Sequence, residues 1–147
     1  MVFTPKKLFQ KGVIKSFKIM PRPAFPTQQD LVSACIEFCE AADDNVVYEE
    51  NFWSFEMMEE LVEGYPEETF KIIKLILNTN VSNDVLGCLA AGPLEELIRV
   101  HGVKMIDAKE AEAVSNIEFN KALGGVWESD IIPEIWKRII AVRKIVW

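Results

Sequence analysis

Residues 82–102 read SNDVLGCLAAGPLEELIRVHG, and the punctuation inside this stretch decides the fold. Ser82 offers a side-chain oxygen to cap a helix from Asn83 to Ala91. Gly92 then reads as a left-handed stop. Pro93 restarts the chain as helix, because its fixed φ suits a first helical position. Glu95 and Glu96 fall in the first turn of that helix, where carboxylates favour the positive end of the dipole, and His101-Gly102 closes it. Helices joined by so short a connection are expected to pack as antiparallel hairpins.

The same signals recur on both sides. Thr27 can cap a helix whose apolar positions Leu31, Ala34, Cys35, Phe38, Cys39 and Ala42 follow the helical period, and Asp43-Asp44-Asn45 ends it. A loop with Val46, Val47 and Tyr48 is expected next. A second helix follows from about Trp53 to Glu63, with Phe55, Met58, Leu61 and Val62 on one side and Gly64 as its stop. Pro66 starts a third, whose wide apolar face of Phe70, Ile72, Ile73, Leu75, Ile76 and Leu77 suggests a central helix touched from two sides. Beyond Gly102, short helices are expected over 107–114, over Ile117 to Leu123 behind an Asn116 cap, and from Asp130 to Trp147. The fold class predicted is all-α, an irregular, solenoid-like stack of short antiparallel hairpins in which no residue pattern recurs at a fixed period.

Residues 1–26 differ in kind from residues 27–147, the helical domain. The first 26 carry Lys6, Lys7, Lys11, Lys15, Lys18 and Arg22 and no acid, a charge of +6, while 10 basic and 23 acidic residues leave −13 on the remainder of a chain of net charge −7. Val13 to Ile19 could form a short strand or hairpin, and Pro21, Pro23 and Pro26 read as a linker. A second reading places the natural start at Met20. From Asp30 to Glu68 there are 13 acids and no Lys or Arg. Such a block repels nucleic acid and draws basic partners in a salt-dependent way, unless it is only a solvated face that maintains solubility.

Composition bounds the rest. With 147 residues, 50% hydrophobic and 27% charged, the chain can bury a core without disulfides or metal. No apolar run is long enough to span a membrane, and no secretory leader is visible. Cys35, Cys39 and Cys88 form an odd set that fits reduced thiols in a cytoplasmic protein better than a disulfide framework. Two thiols and the distant His101 do not make a structural zinc set. The chain has no nucleophile elbow, phosphate-binding loop, dinucleotide fingerprint or His-Glu-x-x-His pair, so no catalytic residue, metal or cofactor is assigned.

Ala90-Ala91-Gly92-Pro93-Leu94-Glu95-Glu96-Leu97-Ile98, followed by His101-Gly102, Ile106, Ala113, Phe119 and Leu123-Gly124-Gly125-Val126-Trp127, resembles a bacterial family of uncharacterised small helical domains. The family's pattern is Ala-Gly-Pro-Leu-Glu, then His-Gly, then Gly-Val-Trp. Trp53-Ser54-Phe55 and Pro66-Glu67-Glu68-Thr69-Phe70 are similar to its upstream segments, with Phe70 where tryptophan is usual. The resemblance covers roughly residues 31–140. It implies a helical domain and brings no activity, cofactor or catalytic residue.

The leading functional expectation is a non-catalytic bacterial interaction protein of immunity or antitoxin type, which covers a basic surface on a toxin or nuclease. Glu56, Glu59, Glu60 and Glu63, within two helical turns, would meet Lys or Arg of that partner, with Trp53 or Tyr48 as aromatic anchor. The alternative is a helical regulatory adaptor or scaffold that uses the Gly92–Glu96 turn, with Glu95, His101 and Trp127 as contacts. A carboxylate-dependent enzyme ranks third. Glu95 and His101 are six apart on one helix and should not meet.

Overall fold

Thr27 caps the first helix, α1 (Gln28–Glu40), in both directions: its hydroxyl accepts the Asp30 N–H at 3.0 Å, and its own N–H donates to the Asp30 carboxylate at 2.9 Å. The structure, a computed structural model, describes residues 26–41, 43–79 and 81–147. The hairpin expected near Val13, most of the basic extension and the Met20 start lie outside the described residues.

Helix α2 (Asn45–Gly64) begins well before Trp53. The Asp44 carboxylate accepts the N–H groups of Val46 at 3.1 Å and Val47 at 3.2 Å, so a strong cap turns the expected loop at Val46 to Tyr48 into the first turn of a helix. Pro66 starts α3 (Pro66–Leu77), and Ser82 caps α4 (Asn83–Leu89) through its hydroxyl, which accepts the Val85 N–H at 3.3 Å. Residues Ala90–Leu94 then form one wide π turn that leads directly into α5 (Glu95–Ser115). Asn116 caps α6 (Ile117–Leu123), and Pro133 opens α7 (Pro133–Val142). Every regular element among the described residues is helical, with no strand among them.

Three expectations are corrected here. Gly92 is not left-handed: its φ is −110 and its ψ −106, and Pro93, having no N–H, widens the ladder instead of ending it. His101-Gly102 does not close a helix. His101 (φ −122, ψ 16) kinks α5, which continues through the segment expected as a separate helix at 107–114. The last helix starts at Pro133 instead of Asp130 and stops at Val142, and residues 143–147 leave it in non-helical form.

One buried cluster takes residues from every helix. Helix α3 packs on α1, α2, α5 and α6, the central position that its wide apolar face suggested. Ile73 and Ile76 of α3, Leu97 of α5, Phe119 and Leu123 of α6 and Ile139 of α7 have no exposed surface. Burial of side chains of this size contributes about 1.5–3 kcal/mol each, so this cluster is the dominant stabilising term. Helix α7 is tied back to α5 by Arg138, whose guanidinium pairs with Glu110 and Asp107. That pairing holds the Glu110 carboxyl below its ordinary range.

Candidate functional site

On α2, residues Phe55, Met58, Glu59, Val62 and Glu63 share one stripe, since spacings of three, four, seven and eight fall on one helical face. Across from this stripe lie Gly92, Pro93 and Glu96, and the space between is a groove. It continues past Ser54 and Leu89 to Cys35, Phe38 and Cys39 of α1 and Cys88 of α4. Met58 and Val62 are buried and form its floor, while Phe55 is partly exposed. Acidic side chains are confined to the Glu59, Glu63 and Glu96 end.

Gly92 keeps this groove open. A Cβ built there would meet nothing within 4 Å, so a side chain at this position would occupy groove space without displacing a neighbour.

The candidate residues do not lie together. Glu59 and Glu63 line the groove. Trp53 and Glu56 do not reach the surface, being 5% and 3% exposed, so the aromatic anchor and one of the four carboxylates are withdrawn into the interior. Both sit on the side of α2 that faces the core with Met57 and Leu61, and that orientation corrects the expectation that either meets a partner. Glu60 is half-buried beside them, one turn from Glu56. Tyr48 is exposed on one side and packs on the other against Phe38 and Phe52, with ring centroids 4.8 and 5.6 Å apart.

The remaining three residues brace the turn. A carboxylate oxygen of Glu95 accepts the backbone N–H of Trp127 at 3.0 Å, which ties the start of α5 to the connection before α7. The Trp127 ring is exposed and lines a different depression with Trp136, Arg143 and Trp147. His101 Nε2 lies 2.7 Å from the Val62 carbonyl oxygen. A carbonyl only accepts, so Nε2 carries the proton, and the bond has a clear cause. Pro66, four residues after Val62, has no N–H to give that carbonyl. Glu95 and His101 do not meet, as their spacing predicted. His101→Ala is expected to cost about 1–2 kcal/mol by leaving the Val62 carbonyl short of a donor. His101→Gln, which retains a donor, should recover much of that loss in a urea titration.

Sequence reasoning missed the chemistry at the other end of the groove. Cys39 and Cys88 are joined in a disulfide with Cα atoms 5.8 Å apart, which corrects the reading of all three cysteines as thiols. Their separation of 49 residues gives no local signal, and only the packing of α1 on α4 brings them together. Cys35 stays a thiol; burial pushes it up to about 12, partly offset by a hydrogen bond with Ser54. Ser54 itself is buried and donates to the Asn51 carbonyl at 2.7 Å. Among the described residues no group of three or more His, Cys, Asp or Glu side chains could hold a metal ion, and no helix is long and apolar enough to cross a membrane.

A family of unknown function, DUF6869, matches residues 41–146, and the chain belongs to it. The match takes in α2 to α7, the π turn and most of the groove, and leaves out α1 with Cys35, Phe38 and Cys39. Neither the curated proteins nor the solved structures contain a match.

Proposed function

We propose that this chain is a non-catalytic interaction protein that receives a basic, amphipathic segment of a partner protein in the groove between α2 and the Gly92–Pro93 turn. The observation that carries this reading is the groove's two-part lining. Met58, Val62, Phe55 and Pro93 offer apolar surface, and Glu59 and Glu63 stand at one end of it beside Glu96, which pairs with Arg99 at 2.7 Å. A partner segment with an apolar side chain beside Lys or Arg satisfies both parts, with burial supplying affinity and the negative field supplying orientation and encounter rate. The acidic helix and the glycine–proline turn, which the sequence offered as separate contacts, line one surface.

In its most concrete form the protein is a bacterial, cytoplasmic immunity or antitoxin-type inhibitor, which occludes a cationic surface of a toxin or nuclease. The regulatory adaptor remains the second reading, favoured by the bracing of the turn through Glu95 and His101, and it would use the same groove for a different partner. Duplex DNA is not expected to bind the helical domain, since like charge opposes the phosphates. Catalysis is not part of this reading: the groove holds carboxylates and a disulfide, and the histidine is committed to the Val62 carbonyl.

A short amphipathic peptide of Lys and Leu tests the surface, and a pull-down from the native host would supply the natural partner. Changing Glu59 and Glu63 together to Gln should keep the helix, slow peptide association about tenfold at low salt and flatten its salt dependence. Glu49→Gln with Glu50→Gln removes the same charge from exposed positions outside the groove, and should change the rate far less. Equal effects from the two pairs would reduce the acidic block to a general field and remove the groove as the site.

A further inference from the structure

The cysteine end of the groove carries chemistry that docking does not use. Cys39 and Cys88 are half-buried and both line the groove, so the disulfide stands in its wall instead of in the core. Cys88 lies on α4, one turn before the break at Gly92, and Cys39 lies at the end of α1. The bond therefore fixes the direction of α4 relative to α1 next to the place where the helical ladder is interrupted. Phe38, Phe55, Met58 and Pro93 share that end of the groove with it.

We propose that the Cys39–Cys88 disulfide is a reversible thiol site, reduced in the native protein by a dithiol reductant that enters through the groove, and that reduction lets α4 shift about the Gly92 bend and reshape the groove. In the first step a reductant thiolate attacks one sulfur. The Cys39–Cys88 bond breaks, a mixed disulfide forms, and the other cysteine leaves as a thiolate that takes a proton from solvent. The reductant's second thiol then attacks the mixed disulfide, releases the remaining cysteine and closes the reductant's own disulfide. Two electrons and two protons pass to the protein in all.

Two features keep this a clean two-state device. Cys35, one turn from Cys39, is buried and stays protonated, so it is a poor nucleophile against the neighbouring bond. On its other side α4 packs on α6, and Ser82 caps its start, so the helix stays folded while it shifts when the tie to α1 is cut. The bend supplies the freedom: Gly92 has open space around it, and Pro93 gives no N–H to the ladder.

The test treats the whole protein with dithiothreitol in native buffer and follows alkylation by mass spectrometry. Cys39 and Cys88 are expected to become alkylated at a rate proportional to reductant concentration, with Cys35 protected and helical circular dichroism retained. Amide exchange over residues 88–94 should accelerate about tenfold in the reduced form, as expected for a locally released unit. The double variant Cys39→Ser, Cys88→Ser should reproduce that exchange without any reductant. Affinity for the Lys and Leu peptide should differ about fivefold or more between the two redox forms, and this arm alone rests on the docking reading. Reduction that requires denaturant, or whose rate stops rising with reductant concentration, overturns the proposal, as does unchanged exchange at the bend or a measurable peptide affinity equal in both forms. If exchange responds and the peptide binds neither form, the thiol site stands and the docking reading falls.

Discussion

Lys109→Met is expected to stabilise the protein by about 1–3 kcal/mol at pH 7, an unusual direction for a change inside a core. Lys109 has no exposed surface, and its ammonium has no hydrogen-bond partner among the described residues. Its compensation among the described residues is the Phe70 ring, 5.0 Å from Nζ to the centroid, and Lys74 already occupies that ring at 4.5 Å. A cation–π contact contributes about 0.5–2 kcal/mol, less than the several kcal/mol needed to desolvate an ion. Burial accordingly pushes the Lys109 pKa down from 10.5 to about 8.

The sign of the pH dependence follows. Below pH 8 the amine is charged in both folded and unfolded chains, and the full cost of burying it is present. Between about 8 and 10.5 the folded form has released a proton that the unfolded form still holds, so stability rises with pH. Above that window both forms are neutral and the cost is gone, a change on the order of 3 kcal/mol. Methionine has the length to fill the same space and does not titrate. The variant's advantage should therefore be greatest at pH 7 and shrink across the window, read as the difference between the two urea midpoints at each pH. A difference that stays constant from pH 7 to 10.5 would mean that the amine reaches water.

Much of the helical frame was legible because its signals are local. Thr27, Ser82 and Asn116 cap where their side chains predicted, and Pro66 opens a helix as expected, since a missing N–H costs nothing in a first turn; Pro133 opens one too, three residues past the expected start at Asp130. The errors lie where a distant group settles a local question. His101-Gly102 looks like a helix end until His101 meets the carbonyl that Pro66 leaves without a donor, and α5 then runs on. Val46, Val47 and Tyr48 look like a loop because branched and aromatic residues are middling helix formers, and the Asp44 cap outweighs that preference. On α2 the acidic residues are dense enough to fall on every side of the helix. Periodicity alone could not separate Glu59 and Glu63 at the groove from Glu56 in the interior, because the partition depends on where α1 and α3 pack. The groove and the disulfide are tertiary features, and no stretch of sequence contains either.

Gly124→Ala is expected to cost about 3 kcal/mol, or to detach the last five residues, because the position lies under another stretch of backbone. Gly124 directly follows the last residue of α6, and its lack of a side chain has a steric use there. A Cβ at Gly124 would stand 2.0 Å from the Ile145 carbonyl oxygen, and a backbone atom cannot yield as a flexible side chain can. The crossing segment is tightly bound. Trp147 donates its N–H to the Gly124 carbonyl at 3.2 Å and its indole N–H to the Lys121 carbonyl at 2.8 Å. Buried Asn120 accepts the Lys144 N–H at 2.9 Å, and its amide donates to the carbonyls of Val142 at 3.0 Å and Ala113 at 3.1 Å. At about 0.5–1.5 kcal/mol for each hydrogen bond, the bonds that release of the segment would break amount to a loss similar to that of forcing the backbones apart. The two outcomes are distinguishable. Detachment would lift the half-exposed Trp147 ring off Gly125, shift tryptophan emission to the red and open residues 143–147 to carboxypeptidase, with a modest loss in melting temperature. A strained but docked segment would keep both signals and lower the melting temperature more. Gly64→Ala, where a Cβ meets nothing within 4 Å, should do neither, and a Gly124→Ala protein as stable and protease-resistant as the parent would show that this close crossing does not exist.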